Sequence, residues 1–256
     1  MPFTPSHVAA VLPLISSART RKVLDPWALA LGTMVPDLPI FLPFLPNYGI
    51  WHSVPGAFTL DLLAVLVLFA VFHGLLRDPL TALLPASLAG RAASLAPRYE
   101  IGLLPAVAAG GVVGSLTHLL WDSFTHHYGL QIWGWSWLAT PLVGQVPAFR
   151  VLQYLSSVVG LTLVVWWSWR GLARMAPVAV PERLVLSTPV RLGVILAAVA
   201  ATLGGAAVWP VLFPPRGGTE LITRLGAGTL AGLGTLLVVY AVMWQLRKAV
   251  AVFQDA

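Results

Sequence analysis

Apolar residues run along this chain in stretches of about twenty, the length that carries a helix across a bilayer, and polar residues gather in the intervals between them. The clearest runs are residues 56–76, 149–169, 191–212 and 222–246. Residues 2–18 are apolar but slightly short, and predict a short or tilted helix that ends at Arg19, Arg21 and Lys22. Residues 24–45 form another apolar segment, but Pro36, Asp37, Pro39 and Pro43 fall inside it, so its later half is expected to be broken or re-entrant. A turn-rich connection follows at 46–55. Residues 80–99, with Pro85, Pro97, Arg91 and Arg98, predict a loop with an interfacial helix. A further helix is expected over 101–127. Residues 128–147 carry Trp133, Trp135 and Trp137 among Gly and Pro, a composition suited to the headgroup region. The pattern predicts an all-α polytopic membrane bundle of about seven segments, one of them broken or re-entrant. It forms a single membrane domain over 1–256, with the chemistry-bearing residues in 1–130 and three further helices in 149–256.

Composition sharpens this. Of 256 residues, 58% are hydrophobic and 9% charged, and the mean hydropathy is +0.84, which excludes an ordinary soluble domain. A net charge of +6 invites a nucleic-acid reading, but the 15 Lys and Arg residues are scattered between apolar runs and form no basic face. We expect no nucleic-acid partner; the membrane lipid itself is the expected partner. Arg19, Arg21 and Lys22, then Arg77, Arg91 and Arg98, then Arg170, Arg174, Arg183 and Arg191, then Arg247 and Lys248 fall on one side if seven segments alternate. By the positive-inside rule that side is cytoplasmic, which places the N-terminus outside and the C-terminus inside. The N-terminal positive charges follow the apolar part, so no signal peptide is expected. With no cysteine, any metal must be held by nitrogen and oxygen. Gly110-x-x-x-Gly114 and Gly228-x-x-x-Gly232 permit close helix approach and speak of packing.

One polar row stands out. His118, Asp122 and His126 lie at i, i+4 and i+8 inside an apolar run, and a helix puts them on one face. Imidazole nitrogens and a carboxylate oxygen are donors for zinc and its first-row neighbours. The rival reading is a set of buried polar groups bonded to neighbouring helices. The topology derived from loop charge brings His7, Asp37 and His52 to the same membrane depth, so six potential ligands from four stretches converge. Asp61 is expected to orient an imidazole from behind. Ser53 has no adjacent base and reads as a helix cap or a support to His52. His73, beside Arg77 and Asp78, reads as an ordinary interfacial histidine, and His127 points about 100° away from His126. No nucleophile elbow, phosphate-binding loop or dinucleotide fingerprint is present.

An N-terminal His, then Pro-Asp-Leu, Gly-x-x-His-Ser and His-x-x-x-Asp-x-x-Thr-x-x-x-Gly together resemble bacterial inner-membrane proteins of the YdjM type, described as membrane-bound metal-dependent hydrolases. MPFTPSH with HLLWDSFTHH resembles more closely a related, uncharacterised bacterial membrane family. The resemblance covers roughly residues 1–130. It implies a bacterial inner-membrane location and metal-associated roles for His7, Asp37, His52, His118 and Asp122, with Thr125 and Gly129 shaping the helix end. Two acidic or imidazole positions of the hydrolase-type pattern are here Pro39 and Asn47; Asn47 offers a carbonyl oxygen in place of an imidazole, and His126 stands as a substitute ligand.

A divalent metal, zinc first, would lower the pKa of water towards ~7 and polarise a carbonyl or phosphoryl oxygen. The expected activity is hydrolysis of an ester or phosphoester in a lipid or lipid-linked substrate near the extracytoplasmic face, with Asp122 and Asp37 as the catalytic carboxylates. Two other classes stay open: a non-enzymatic membrane protein with a structural metal or polar cluster, and a transporter with the broken second segment at its substrate site.

Overall fold

The computed structural model describes residues 2–42, 44, 45, 47–95 and 101–254. Pro43, and Pro97 and Arg98 at the end of the 80–99 stretch, lie outside these. The described chain is helical apart from one hairpin. Its main helices are α1 (Val8–Ser16), α2 (Pro26–Gly32), α3 (Leu60–Leu83), α4 (Leu104–Thr125), α5 (Ala148–Arg174), α6 (Thr188–Leu212) and α7 (Gly218–Gln254). The hairpin pairs β1 (Pro141–Val143) antiparallel to β2 (Val146–Pro147) across Gly144, whose φ of 57° suits a residue without a Cβ.

Five helices among the described residues, α3 to α7, are long and apolar enough to cross a membrane, as a multi-pass membrane protein requires. The first two apolar segments behave differently from a full span. Residues 2–18 yield a 3-10 turn (Thr4–His7) and the nine-residue α1, about 14 Å of helix at 1.5 Å per residue. Residues 24–45 yield the seven-residue α2, a 3-10 turn (Val35–Asp37) and one further helical turn (Leu38–Phe41). Proline supplies the reason: Pro36 and Pro39 bring no N–H and fix φ, so a helix cannot be carried through them without losing bonds.

The chain divides into two compact units, 1–69 with 98–171 and 70–97 with 172–256. In the first, α2 docks on α4 through glycine. A Cβ on Gly110 would stand 2.8 Å from the Asp25 carbonyl oxygen, and one on Gly114 would meet the Gly32 backbone at 3.0 Å. The Gly110–Gly114 spacing is thus a backbone-to-backbone contact surface. Asp25 starts α2: its Oδ1 accepts from the Trp27 and Ala28 amides, both at 2.9 Å, while its own amide donates to the Ala106 carbonyl at 2.9 Å. Loss of such a cap costs about 1 kcal/mol. Asp25→Ala is accordingly expected to lower the melting temperature in detergent while leaving the other helices in place, measured by circular dichroism.

In the second unit, α6 and α7 pack equally closely: a Cβ on Gly228 would strike the Gly205 carbonyl, and one on Gly232 would meet the Gly205 Cα at 3.1 Å. The α3 residues in this unit make a π turn over Phe72–Leu76 before Pro79. Pro79 cannot donate to a preceding carbonyl, and the carbonyls of Gly74 and Leu75 accept instead from the Gln245 amide at 3.3 and 3.2 Å. Arg183 pairs with Asp78.

Candidate metal centre

All six sequence-selected ligand residues belong to the first unit. Five come from four separate stretches. The 3-10 turn before α1 supplies His7, and the turn after α2 supplies Asp37. His52 ends the helical turn Tyr48–Trp51, and His118 and Asp122 sit one turn apart on α4. His7, Asp37, His118 and Asp122 are buried, while the His52 side chain is 8% exposed.

The donor atoms face one another. His118 Nε2 is 3.2 Å from His52 Nε2, 3.4 Å from Asp122 Oδ2 and 3.7 Å from Asp37 Oδ1. His52 Nε2 is 3.3 Å from Asp37 Oδ1 and 3.7 Å from Asp122 Oδ2. His7 Nε2 lies 3.5 Å from Asp122 Oδ1, and the His7 ring stacks on His118 with centroids 4.0 Å apart. Donors about 2.1 Å from a tetrahedral ion stand roughly 3.4 Å apart, and these separations bracket that value. Two ligand triads meet the geometric requirement, His7/His118/Asp122 and Asp37/His52/His118, and they share His118.

The backbone sets the histidine chemistry. His118 Nδ1 lies 2.8 Å from the Thr33 carbonyl; a carbonyl only accepts, so Nδ1 carries the proton and Nε2 of the neutral ring turns its lone pair into the cluster. That carbonyl arrives through the glycine contact of α2 with α4. Thr4 Oγ1 donates to Asp37 Oδ2 at 2.5 Å, which leaves Oδ1 turned towards the imidazoles. Both His7 ring nitrogens and Asp122 Oδ2 have no hydrogen-bond partner among the described residues. Buried polar atoms are normally satisfied, and two buried carboxylates whose ionic partners among the described residues are all imidazoles offset the charge of one dication. The residues fit a divalent ion on both counts.

The remaining sequence-selected residues fall around this core. α4 ends at Thr125 and His126 is extended (φ −131°, ψ 157°), so His126 leaves the helical row. Its Nδ1 is 3.5 Å from Asp122 Oδ2 but also 3.0 Å from the Asp122 carbonyl, which makes that nitrogen a donor in this arrangement. Thr125 Oγ1 sits 3.4 Å from Asp122 Oδ1. Asp61 is buried and accepts the Ser115 hydroxyl; the carbonyl of Thr33 is what orients His118. Asn47 Oδ1 accepts from the Gly49 amide at 2.9 Å and Ser53 Oγ from the Gly56 amide at 3.0 Å, each capping a short helix. His127 is exposed with Phe149 edge-on to its ring, and His73 belongs to the second unit.

Three residues were not singled out from the sequence: Thr4, Thr33 and Tyr48. Tyr48 stacks on His52 with centroids 3.8 Å apart and brings its hydroxyl 2.7 Å from His52 Nε2 and 3.5 Å from Asp37 Oδ1. Its position four residues before His52 was the available signal. Burial and the Asp37 carboxylate push the Tyr48 phenol well above its ordinary range, so it is a neutral hydroxyl. Near the end of α4, Phe124, Trp133 and Trp135 stack in series at 5.1 and 5.4 Å, with Trp137 6.2 Å further on, and Trp133 Nε1 donates to Ser123 Oγ at 2.8 Å. The three tryptophans are exposed.

Among known protein families, the one described as Domain of unknown function (DUF4184) matches residues 1–242. No curated protein and no solved structure matches the chain. The match fits the resemblance of MPFTPSH and HLLWDSFTHH to an uncharacterised family, and it carries no link to the YdjM-type hydrolases.

Proposed function

The chain belongs to the DUF4184 family, and from that premise we propose a bacterial inner-membrane hydrolase that depends on a divalent metal, zinc first, and cleaves an ester or phosphoester of a lipid or lipid-linked substrate near the extracytoplasmic face. The observation that carries this reading is the set of donor separations, 3.2–3.7 Å, among His52, His118, Asp37 and Asp122. These four with His7 would hold the ion, and His126 stands at the edge. A divalent ion there supplies Lewis acidity and makes water acidic enough to attack near neutral pH. The chain's own residues do the rest. Thr33 fixes the His118 ring, Thr4 aims Asp37, and Asp122 offers an unpaired oxygen to the proton of an attacking water. Exposure rises from the buried His118 and Asp122 to His52 at 8% and His126 at 20%, which gives substrate one side from which to approach.

The first two apolar segments serve in this reading as re-entrant or short elements, bringing the number of membrane segments to seven, with the N-terminus outside. A reporter fused at the C-terminus is expected to read as cytoplasmic and one inserted at Gly144 as extracytoplasmic. The reverse pattern would place the site at the inner face and remove the outer-leaflet substrate class.

Burial of four of the five donors also favours a second reading, a closed structural metal site. Metal analysis of detergent-purified protein beside His118→Ala tests the common ground: about one divalent ion per chain is expected in the parent and most of it is lost in the variant. Turnover of phospholipid or lipid-phosphate analogues by the metal-replete parent then separates enzyme from structural protein.

A further inference from the structure

We infer that the groove between α6 and α7 holds one anionic phospholipid, with an acyl chain along its apolar walls and the phosphate at Arg247. The groove lies wholly in the second unit and does not depend on the metal-centre reading. The two helices run antiparallel, with Gly205 against Gly228 and Ala201 against Gly232. Beyond that contact the facing positions change from Gly and Ala to Val, Leu and Met, and a groove of about 240 Å³ lies between the helices. It runs from Ala197 and Leu236 at one end to Leu186 and Arg247 at the other. From Leu236 to Arg247 is about 17 Å along α7 at 1.5 Å per residue, roughly half the ~30 Å hydrocarbon thickness of a bilayer. The groove is therefore about as long as one leaflet is deep.

Its two ends differ in chemistry. The walls are aliphatic as far as Val190 and Met243, which are 42% and 59% exposed. At the end beyond them stands Arg247, exposed and in no ion pair among the described residues. Arg224, towards the start of the same helix, pairs with Glu220 at 2.9 Å, so its charge is already met while that of Arg247 is not. Trp244 lines the groove one turn before Arg247, and its buried indole N–H has no hydrogen-bond partner among the described residues. Buried donors normally have one, and an ester or phosphate oxygen of the occupant would supply it. The Tyr240 hydroxyl donates to the Pro79 carbonyl at 3.3 Å, which leaves Trp244 and Arg247 as the polar contacts of the lining. An occupant one leaflet long, apolar along most of its length and anionic at one end is a phospholipid with an acidic headgroup. A soluble anion would leave the walls uncovered, a neutral lipid would leave Arg247 without a counter-charge, and a helix about 10–12 Å across is too wide. Basic pockets between membrane helices recognise acidic headgroups by the same attraction.

The test titrates the full chain in detergent with phosphatidylglycerol or with phosphatidylcholine of the same acyl chains, and counts bound lipid by native mass spectrometry. The parent is expected to saturate at one phosphatidylglycerol, held about 10-fold or more above phosphatidylcholine, the scale of hydrogen bonds to a charged group. Arg247→Gln, at an exposed position, is expected to bring the two lipids within about threefold of each other, whereas Arg247→Lys, which keeps the charge, retains most of the preference. Ala197→Trp fills the apolar end and is expected to weaken both lipids about 10-fold, since the chain loses its buried area. Its melting temperature is read alongside; if it fails to fold, the two Arg247 variants decide. Binding of phosphatidylglycerol that never saturates at one per chain, or a preference unchanged in Arg247→Gln, overturns the inference and leaves annular lipid only. Undiminished binding in a folded Ala197→Trp overturns it by reducing the contact to surface charge. A parent dimer that Ala197→Trp disperses assigns the groove to a second copy of this chain, and overturns it as well.

Discussion

Gly114→Val is expected to remove metal binding together with much of the stability, although it touches no donor atom. A Cβ at this position meets the Gly32 carbonyl carbon and Cα at 3.0 Å and the Leu29 carbonyl oxygen more closely still. Those are backbone atoms, and they cannot rotate away. α2 must therefore move off α4, and with it go the Thr33 carbonyl that orients His118 and the turn that carries Asp37. Overpacking of this kind costs about 1–3 kcal/mol, occasionally more, and the upper end is expected because both partners are main chain. Thermal unfolding in detergent and bound-metal content are the measurements, and both should fall. Gly171→Ala is the matched control: a Cβ there meets nothing within 4 Å, and alanine favours the α5 helix by up to about 1 kcal/mol. A Gly114→Val protein that melts like the parent and keeps its metal would mean that α2 reaches α4 by some other contact.

Asp122→Asn is expected to lose the ion as well, but to keep the fold. Asp122 Oδ2 is 3.4–3.7 Å from nitrogens of His52, His118 and His126, and Oδ1 is 3.5 Å from His7. The amide matches the carboxylate in shape but brings no charge, and it presents N–H groups or a weak carbonyl donor to four imidazoles. Removing even a residue that only supports a ligand costs about 10- to 100-fold in metal affinity, so removal of a charged ligand should cost at least the upper figure. Metal-dependent turnover of lipid-phosphate analogues should disappear with it. The melting temperature of the ion-free variant should stay within a few degrees of the ion-free parent, since the packing around α4 is unchanged. Collapse of the fold in Asp122→Asn would favour the polar-cluster reading, in which the carboxylate holds the histidines together without an ion.

What depends on local composition is legible in the residues alone. Uninterrupted apolar runs fixed α3 to α7 as membrane-length helices, because a backbone without water must bond within its own helix. The prolines at 36 and 39 marked where the second segment breaks, and Gly110 and Gly114 marked a close packing face. His118 and Asp122 were legible as a pair because one helical turn joins them. Tertiary structure decided what depends on distant parts meeting. The helix end at Thr125 takes His126 out of the row, and close by the Gly129 backbone packs against the Ser123 carbonyl with no room for a Cβ. Residues 2–18 gave a helix too short to cross, with Pro13 inside it. The orientation of His118 rests on a main-chain carbonyl at Thr33, 85 positions away, and every residue type carries such a carbonyl, so no residue pattern announces it. Tyr48 and Thr4 are ordinary in the sequence for the same reason: a hydroxyl acquires a role only when the fold brings a carboxylate or an imidazole within about 3 Å of it.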